Sequence, residues 1–290
     1  MKNRFLALAT LGLLLQACNA SDKNTKVAGT DTTTSAQKNT TTANTAAADT
    51  ISNAQPADAA TIMARKQVPV LCYHRIREYK PTDRSGKPYI VPPAVFREQI
   101  KFLADSGYQT ISPDQYYNYL ATGAPLPEKP VMITFDDTEA EQHTIGASEL
   151  EKYGFKGVFF LMTIVINRPH YMTKEQIKDL ADRGHTVGSH TWDHHMVTKY
   201  TEEDWNKQLT ESKAKIESIT GKPVLHFAYP FGLWNKPAIP ELKERGIRTA
   251  YQLSTARDST EPLHTIRRII VPGSWSGEQL GKAMRSSFKG

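Results

Sequence analysis

The sequence predicts an α/β fold, a distorted (β/α)7-type barrel built on a mostly parallel sheet. Three observations carry the expectation. From Val68 onward, apolar runs of strand length alternate with longer stretches of helical periodicity. Glycines (Gly107, Gly123, Gly154, Gly184, Gly221 and Gly246) stand where the helical patterns stop, as helix C-termini prefer. Some seven strand–helix units fit into about 225 residues, which suits a closed or nearly closed barrel better than an open sheet.

Residues 1–18 have the pattern of an export signal. Lys2 and Arg4 precede an apolar stretch, Phe5 to Leu15, that is too short to cross a bilayer as a helix. The ending Leu15-Gln16-Ala17-Cys18 resembles a bacterial lipobox. That resemblance implies a lipidated Cys18 and an exported protein held to a bacterial membrane, facing periplasm or exterior. Residues 19–64 are Thr-, Ala- and Asn-rich with few large apolar side chains, the composition of a flexible tether. A free chain of 46 residues has its ends on the order of 40 Å apart. The folded domain is expected over residues 65–290.

Within it, strands are expected at 69–74, 131–136, 157–162, 185–189, 225–229, 249–253 and 266–271. Helices are expected at 93–105, 113–121, 142–153, 173–183, 202–219, 237–245 and 276–287, with Ser112-Pro113 and Thr173 as helix starts. Residues 77–92 read as a polar loop. Cys72 lies in the first strand and reads as a buried, inert thiol, so the domain relies on its core rather than on a disulfide. Of the formal charge of +6, the expected domain carries +5, scattered among acids, which gives nucleic acid binding no support. Nothing marks an oligomer interface, so a monomer is expected.

The chemistry concentrates in two places. Asp136 and Asp137 end the apolar run Val131-Met132-Ile133-Thr134-Phe135, and two carboxylates buried there each need a partner. His190 and His194 stand four apart in Ser189-His190-Thr191-Trp192-Asp193-His194, a spacing that lets both reach one ion. Asp137 and the two imidazoles make a three-ligand set with an open position, the pattern of a catalytic rather than a structural zinc site. Asp136 is left free to move a proton. His195 competes as a ligand, but its one-residue offset turns it to another face. His143, His170, His185 and His226 read as ordinary histidines.

Thr134-Phe135-Asp136-Asp137, then the histidine motif, then Ala228-Tyr229-Pro230-Phe231-Gly232 resemble, in that order, the polysaccharide deacetylases of the NodB-homology group, carbohydrate esterase family 4. The resemblance spans about residues 68–288. The opening Leu71-Cys72-Tyr73-His74-Arg75 and the strand Ile266-Arg267-Arg268-Ile269 resemble the poly-N-acetylglucosamine deacetylase branch. The resemblance implies the NodB-homology fold and a metal-dependent hydrolase acting on an acetylated polysaccharide. Asp136 would be the general base, Asp137, His190 and His194 the holders of a divalent metal (Zn²⁺, or Co²⁺ or Ni²⁺), and the Phe231 backbone N–H a donor to the oxyanion.

Two departures bear on the roles. Many members carry a small residue where Thr138 stands, and an Arg where Ala228 stands; that Arg pairs with the base aspartate. Arg267 or Arg268 would have to replace it, and strand alternation lets only one face inward; Arg268 is also a candidate substrate contact. The general acid is expected at His264 or His74. Trp192, Tyr229, Phe231, Trp234 and Trp275 are the aromatic candidates for a sugar platform. N-deacetylation of a β-linked N-acetylglucosamine polymer is the leading expectation. O-deacetylation of an acetylated xylan, a catalytically silent sugar binder and an amidase for small non-sugar amides are the alternatives.

Overall fold

Residues 55–84, 87–253 and 256–289 are described by a computed structural model of the chain; the expected signal, Cys18 and the tether up to residue 54 lie outside the described residues. The strands are β1 (Val70–Tyr73), β2 (Gln109–Thr110), β3 (Pro130–Phe135), β4 (Val158–Leu161), β5 (Thr186–Ser189), β6 (His226–Ala228), β7 (Thr249–Tyr251) and β8 (Ile269–Ile270). The helices are α1 (Ala59–Ala64), α2 (Pro93–Asp105), α3 (Pro113–Thr122), α4 (Ser148–Glu151), α5 (Lys174–Asp182), α6 (Ser212–Thr220), α7 (Ala238–Glu244) and α8 (Gly277–Ser287). Two wide helical turns, Gln142–Ala147 and Asn206–Glu211, lead into α4 and α6.

All strand pairings are parallel, and the path runs β7-β6-β5-β4-β3-β1-β8, with the short β2 added beside β3. The two ends of this path meet. Ile266 bridges to Tyr251 of β7, while Ile269 and Ile270 pair with Leu71 and Cys72 of β1. The segment 266–270 therefore joins β7 at its start to β1 at its end, and the sheet curls into a distorted barrel. The single strand expected at 266–271 is divided because the segment changes partner part-way.

Alternation along the strands makes two cores. Val70, Met132, Val158, Phe160, Ala228, Tyr251 and Ile266 fill the barrel, whereas Leu71, Tyr73, Ile133, Phe135, Phe159 and Leu161 face the helices. The helix starts follow the expected chemistry. Ser112 with Gln115, and Thr173 with Gln176, form reciprocal capping boxes.

Two elements lie outside the expectation. β2 is only two residues long and carries no alternation to read. α1 falls inside the expected tether, which corrects the domain boundary. Asp58 caps it by accepting from the Thr61 N–H at 2.8 Å, Ala57 N–H donates to Ala121 O at 2.8 Å, and Ile62, 3% exposed, joins the barrel-filling cluster. The folded part thus begins before residue 65; a six-residue helix with one buried apolar side chain leaves too little periodicity to detect. Ile62→Ala is expected to lower unfolding free energy by about 2–4 kcal/mol in urea titrations, as for a core position; an Ile in a solvated tether would give no change.

Candidate active site

The C-terminal ends of β1, β3, β5 and β6 converge at one mouth of the barrel. Asp136 follows β3, is 2% exposed, and is held by Arg268 from the closing segment. Arg268 Nη1 donates to Oδ1 and Nη2 to Oδ2, both at 2.7 Å, and Nη1 also reaches Thr134 Oγ1 at 3.1 Å. The arginine is fully buried and lies 5.4 Å from the Phe160 ring centroid. Arg267, its neighbour, turns outward, stacks on Phe288 and donates to Ser287 O. Alternation has selected Arg268, which supplies from the closing segment the cation absent at Ala228. Its burial excludes the expected direct contact with substrate.

Burial alone would raise the Asp136 pKa. The charge of Arg268, with His190 and the bidentate hydrogen bonds, outweighs it and holds the carboxyl well below the ordinary carboxylate range. Cys72 is not remote: its thiol donates to Asp136 Oδ2 at 3.5 Å, while burial pushes its own pKa up and keeps it protonated.

Asp137 meets the two imidazoles. Its Oδ1 lies 3.6 Å from His190 Nε2 and 3.6 Å from His194 Nε2, and the ligand atoms of the three residues lie within 4.8 Å of one another. His190 Nδ1 sits 2.7 Å from Ala228 O, so that nitrogen carries the proton and Nε2 keeps its lone pair toward Asp137. Burial lowers the His190 pKa to about 3 and lowers that of His194 as well, which keeps both rings neutral at pH 7. Burial, then the charges of Asp136 and Glu139, raises the Asp137 pKa to about 7. Its Oδ1 is buried without a hydrogen-bond partner. An orphaned acceptor between two imidazole lone pairs fits a divalent cation. His195 stacks edge-on against Tyr200 and is not part of this set.

The backbone is bent to make the cluster. Asp137, Thr138, Thr191, His194 and Phe231 all have φ between 60° and 78°. Side chains hold these turns. His194 N–H donates to Thr191 Oγ1 at 2.9 Å, and Ser212 Oγ donates to Thr191 O at 3.0 Å. Buried Gln142 donates through Nε2 to His74 O at 2.8 Å and to Asp136 O. Gln208 Oε1 accepts from the Trp192 N–H at 3.2 Å and the Asp193 N–H at 3.4 Å. Sequence reading missed both glutamines. The available signal was a polar residue on an otherwise buried helical face.

Other candidates divide clearly. His74, at the end of β1, is 8% exposed, forms an edge contact with Tyr89 at 4.9 Å, and has a ring nitrogen within 4.8 Å of Asp136. Burial lowers its pKa to about 4, against the pull of Asp136. His264 does not join: its Nε2 is 3.0 Å from Ile247 O, before β7, and it packs near Ala57, Leu225 and Arg248 at the N-terminal side of the barrel. Phe231, 54% exposed, meets the His194 ring edge-on at 4.4 Å.

The remaining aromatics find partners within the fold, and only Tyr229 is a correction. Tyr229 is fully buried and donates to His264 O. Trp192 is covered by Lys207 Nζ at 3.7 Å and Lys215 Nζ at 4.8 Å from its ring centroid. Trp234 packs on the Phe227–Tyr229 cluster and donates to Gln252 Oε1, and Trp275 packs on the outer core. His143, His185 and His226 take local partners in Asp179, Glu151 and Asp114.

Residues 123–250 match the family model described as polysaccharide deacetylase, a span that includes both aspartates and both histidines. Over those residues the chain matches a polysaccharide deacetylase domain. It is similar to the putative polysaccharide deacetylase YxkH of Bacillus subtilis, 28% identical over 228 residues, covering 76% of this chain and 77% of that protein. It is also similar to a poly-beta-1,6-N-acetyl-D-glucosamine N-deacetylase of Staphylococcus aureus, 24% identical over 206 residues, covering 63% of this chain and 71% of that one. The deacetylase PplD of Streptococcus pyogenes, solved with acetate, shares the fold with a TM-score of 0.70 at 22% identity, over 77% of this chain and 99% of that chain. The deacetylase match ends before Arg268, so the guanidinium on Asp136 comes from outside the matched residues.

Two outcomes follow for this site. Without metal, the raised Asp137 pKa contributes stability present below about pH 4 and lost as pH rises toward 7. Metal needs that carboxylate ionised and both imidazoles neutral, so Zn²⁺ is expected to raise Tm strongly at pH 8 and little at pH 5, with the effect lost in Asp137→Asn. Arg268→Met strands a buried carboxylate and is expected to cost about 3–5 kcal/mol in urea titrations. Adding Asp136→Asn should recover part of that loss.

Proposed function

We propose that this protein is a metal-dependent hydrolase that removes N-acetyl groups from a β-linked N-acetylglucosamine-containing polysaccharide. The observation that carries the reading is the pairing of Asp137, His190 and His194 around an orphaned carboxylate oxygen, with an arginine-held Asp136 beside them. The name of the Staphylococcus aureus relative supports the choice of polymer. The ligand set suits Zn²⁺, with Co²⁺ or Ni²⁺ as substitutes.

The ion would supply Lewis-acid polarisation of the acetyl oxygen and acidify water. The protein supplies the rest. Asp136, kept ionised by Arg268, takes a proton as the water oxygen bonds to the acetyl carbon. The Phe231 N–H shares the negative charge that develops on the acetyl oxygen. The C–N bond then breaks, the nitrogen gains a proton, and acetate leaves. His74 delivers that proton. Its pKa of about 4 makes it neutral at rest and a strong acid once charged, which suits a relay from nearby Asp136 better than a standing reservoir. The lipobox-like ending at Cys18 supports placement on a bacterial membrane, with the domain working beyond it on a tether.

Acetate release from N-acetylglucosamine oligomers, with added Zn²⁺ or Co²⁺, tests the reading. The wild type should release acetate, and Asp136→Asn should lower kcat by about 10²–10⁴-fold while still binding metal. Release from acetylated xylan alone would move the activity to O-deacetylation, and turnover of small amides alone would remove the polysaccharide.

A further inference from the structure

The two ends of the barrel differ in charge. Seven connections lead from a helix to the N-terminal end of a strand: 65–69, 106–108, 123–129, 152–157, 183–185, 221–225 and 245–248. Together they carry nine lysines and arginines and one acid, Glu128. The connections on the side of the mouth (74–92, 111–112, 136–141, 162–173, 190–205, 229–237, 252–265 and 271–276) carry nine basic and twelve acidic residues. The barrel therefore has a cationic end opposite its reactive one.

Part of that charge serves the helices. Lys129 Nζ donates to Ser106 O at 3.0 Å and Lys156 Nζ to Arg183 O at 2.7 Å, where carbonyls at helix C-termini lack backbone partners. A cation bonded to a carbonyl keeps its full charge. Lys152, Lys156, Arg183 and Arg245 pair with Glu149, Glu151 and Glu241, but among the described residues Arg65, Lys66, Lys129, Lys222 and Arg248 stand in no ion pair. The unpaired charge gathers in one place. Lys66 and Lys129, with Arg285 and Lys289 from the end of α8, are exposed around a depression of about 670 Å³ that Tyr108, Tyr119 and Phe288 also line.

The chain enters the described fold at this same end. Pro56 and Ala57 lie beside Leu225, Ile247 and Arg248, which precede β6 and β7, and the Ala57 N–H bonds Ala121 O at the end of α3. The 36 residues 19–54 separate that entry from Cys18. A free chain of this length has its ends on the order of 30 Å apart, so an anchor at Cys18 keeps the cationic end within reach of its membrane. Each Lys or Arg close to an anionic bilayer strengthens binding about fivefold.

We propose that this end is a membrane-docking face: Lys66, Lys129, Arg285 and Lys289 receive the phosphates of anionic lipid headgroups, and the mouth is turned away from the bilayer. The face is independent of the reaction at the mouth and rests only on the membrane placement read from Cys18.

Docking and anchoring are tested apart. The chain from residue 18 onward, carrying Cys18→Ser so that neither signal nor lipid contributes, is sedimented with vesicles of phosphatidylcholine alone or with about one-third phosphatidylglycerol. It should bind the anionic vesicles and not the neutral ones, and binding should fall at least about tenfold between about 0.05 and 0.5 M salt. Lys66→Glu, Lys129→Glu, Arg285→Glu and Lys289→Glu together should weaken binding at least about a hundredfold, and the four Gln replacements by a smaller factor. The same charge change at the mouth, Lys80→Glu, Arg168→Glu, Lys199→Glu and Lys236→Glu, should leave it within about threefold. An unchanged Tm checks that each set folds, and the Gln set carries the test if the Glu set does not. Equal losses in the two sets, equal binding to neutral vesicles, or no binding by the parent chain overturns the docking face. So does tighter capture by a soluble polyphosphate chain than by the vesicles. Mass spectrometry of the full chain isolated from bacterial membranes reads the anchor. An unacylated Cys18 with intact vesicle binding removes the anchor and leaves the face; an acylated Cys18 with no vesicle binding removes the face and leaves the anchor.

Discussion

The buried pair between Arg268 and Asp136 is the constraint on which the rest of the site depends. A fully buried guanidinium is tolerable only with its charge matched and its donors occupied. Here both Asp136 oxygens, the Thr134 hydroxyl and the Gln252 carbonyl do so. The pair ties the segment that closes the barrel to the end of β3, so closure and site assembly are one event. It also separates two carboxylates adjacent in sequence. Among the described residues, Asp136 receives the only guanidinium bonded to either, and it stays ionised. Asp137, buried beside that charge and Glu139, has its pKa pushed up to about 7 and lacks a cation of its own. Opposite displacement of two neighbouring pKa values, beside the geometry of the cluster, supports the roles proposed above: a base on one side, and on the other a ligand for a divalent ion.

Holding the ligands where they can share an ion requires backbone that side chains ordinarily avoid. Five non-glycine residues at the mouth have positive φ, and each such turn costs of order 1–3 kcal/mol. What maintains them is a layer of buried polar groups just beneath. Gln142 and Gln208 each come from a wide helical turn, and each hydrogen-bonds the main chain of a site loop. The wide turn is suited to that task, since an extra residue per turn lets a side chain leave the helix at an angle an α-helix does not offer. The strain is local to the site, and so are its supports.

Much of this was legible in the residues. The parallel barrel follows from strand-length apolar runs separated by helical periodicity and stopped by glycines; all six glycines named from the sequence have positive φ. The grouping of Asp137, His190 and His194 was legible in their spacing, although the histidines meet through a bend with positive φ at Thr191 and His194 rather than on a helical turn. Arg268 was legible only in part. Strand parity allowed one of two adjacent arginines to face inward, but which one depends on the partner change between Ile266 and Ile269, which is a tertiary fact. α1 and β2 were not legible, since each is too short to show a period. His264 was misread as an acid candidate for the same kind of reason: it ends the short helical turn Pro262–His264, too short to show a period, and its ring meets Ile247 O away from the mouth.

Of the aromatic candidates Phe231 stands well exposed beside His194, whereas Trp192, Tyr229, Trp234 and Trp275 do not stand so exposed, which is instructive. They were chosen because they stand next to the catalytic motifs in sequence, and adjacency in a β/α barrel sends alternate side chains to opposite faces. Tyr229 follows the inward Ala228 and is therefore driven into the outer core, and Trp192 lies over the wide turn that supports its own loop, under two lysines. The side chains actually left at the mouth come from loops, where no period governs direction and only tertiary packing decides. Tyr79 and Tyr89 lie in a segment whose polar, proline-containing composition hides them. Catalytic groups must be buried and oriented, so strands and tight turns carry them and their spacing is readable. Exposed groups at the mouth sit on loops, so their identity emerges only when the barrel brings β1 and β6 to one opening.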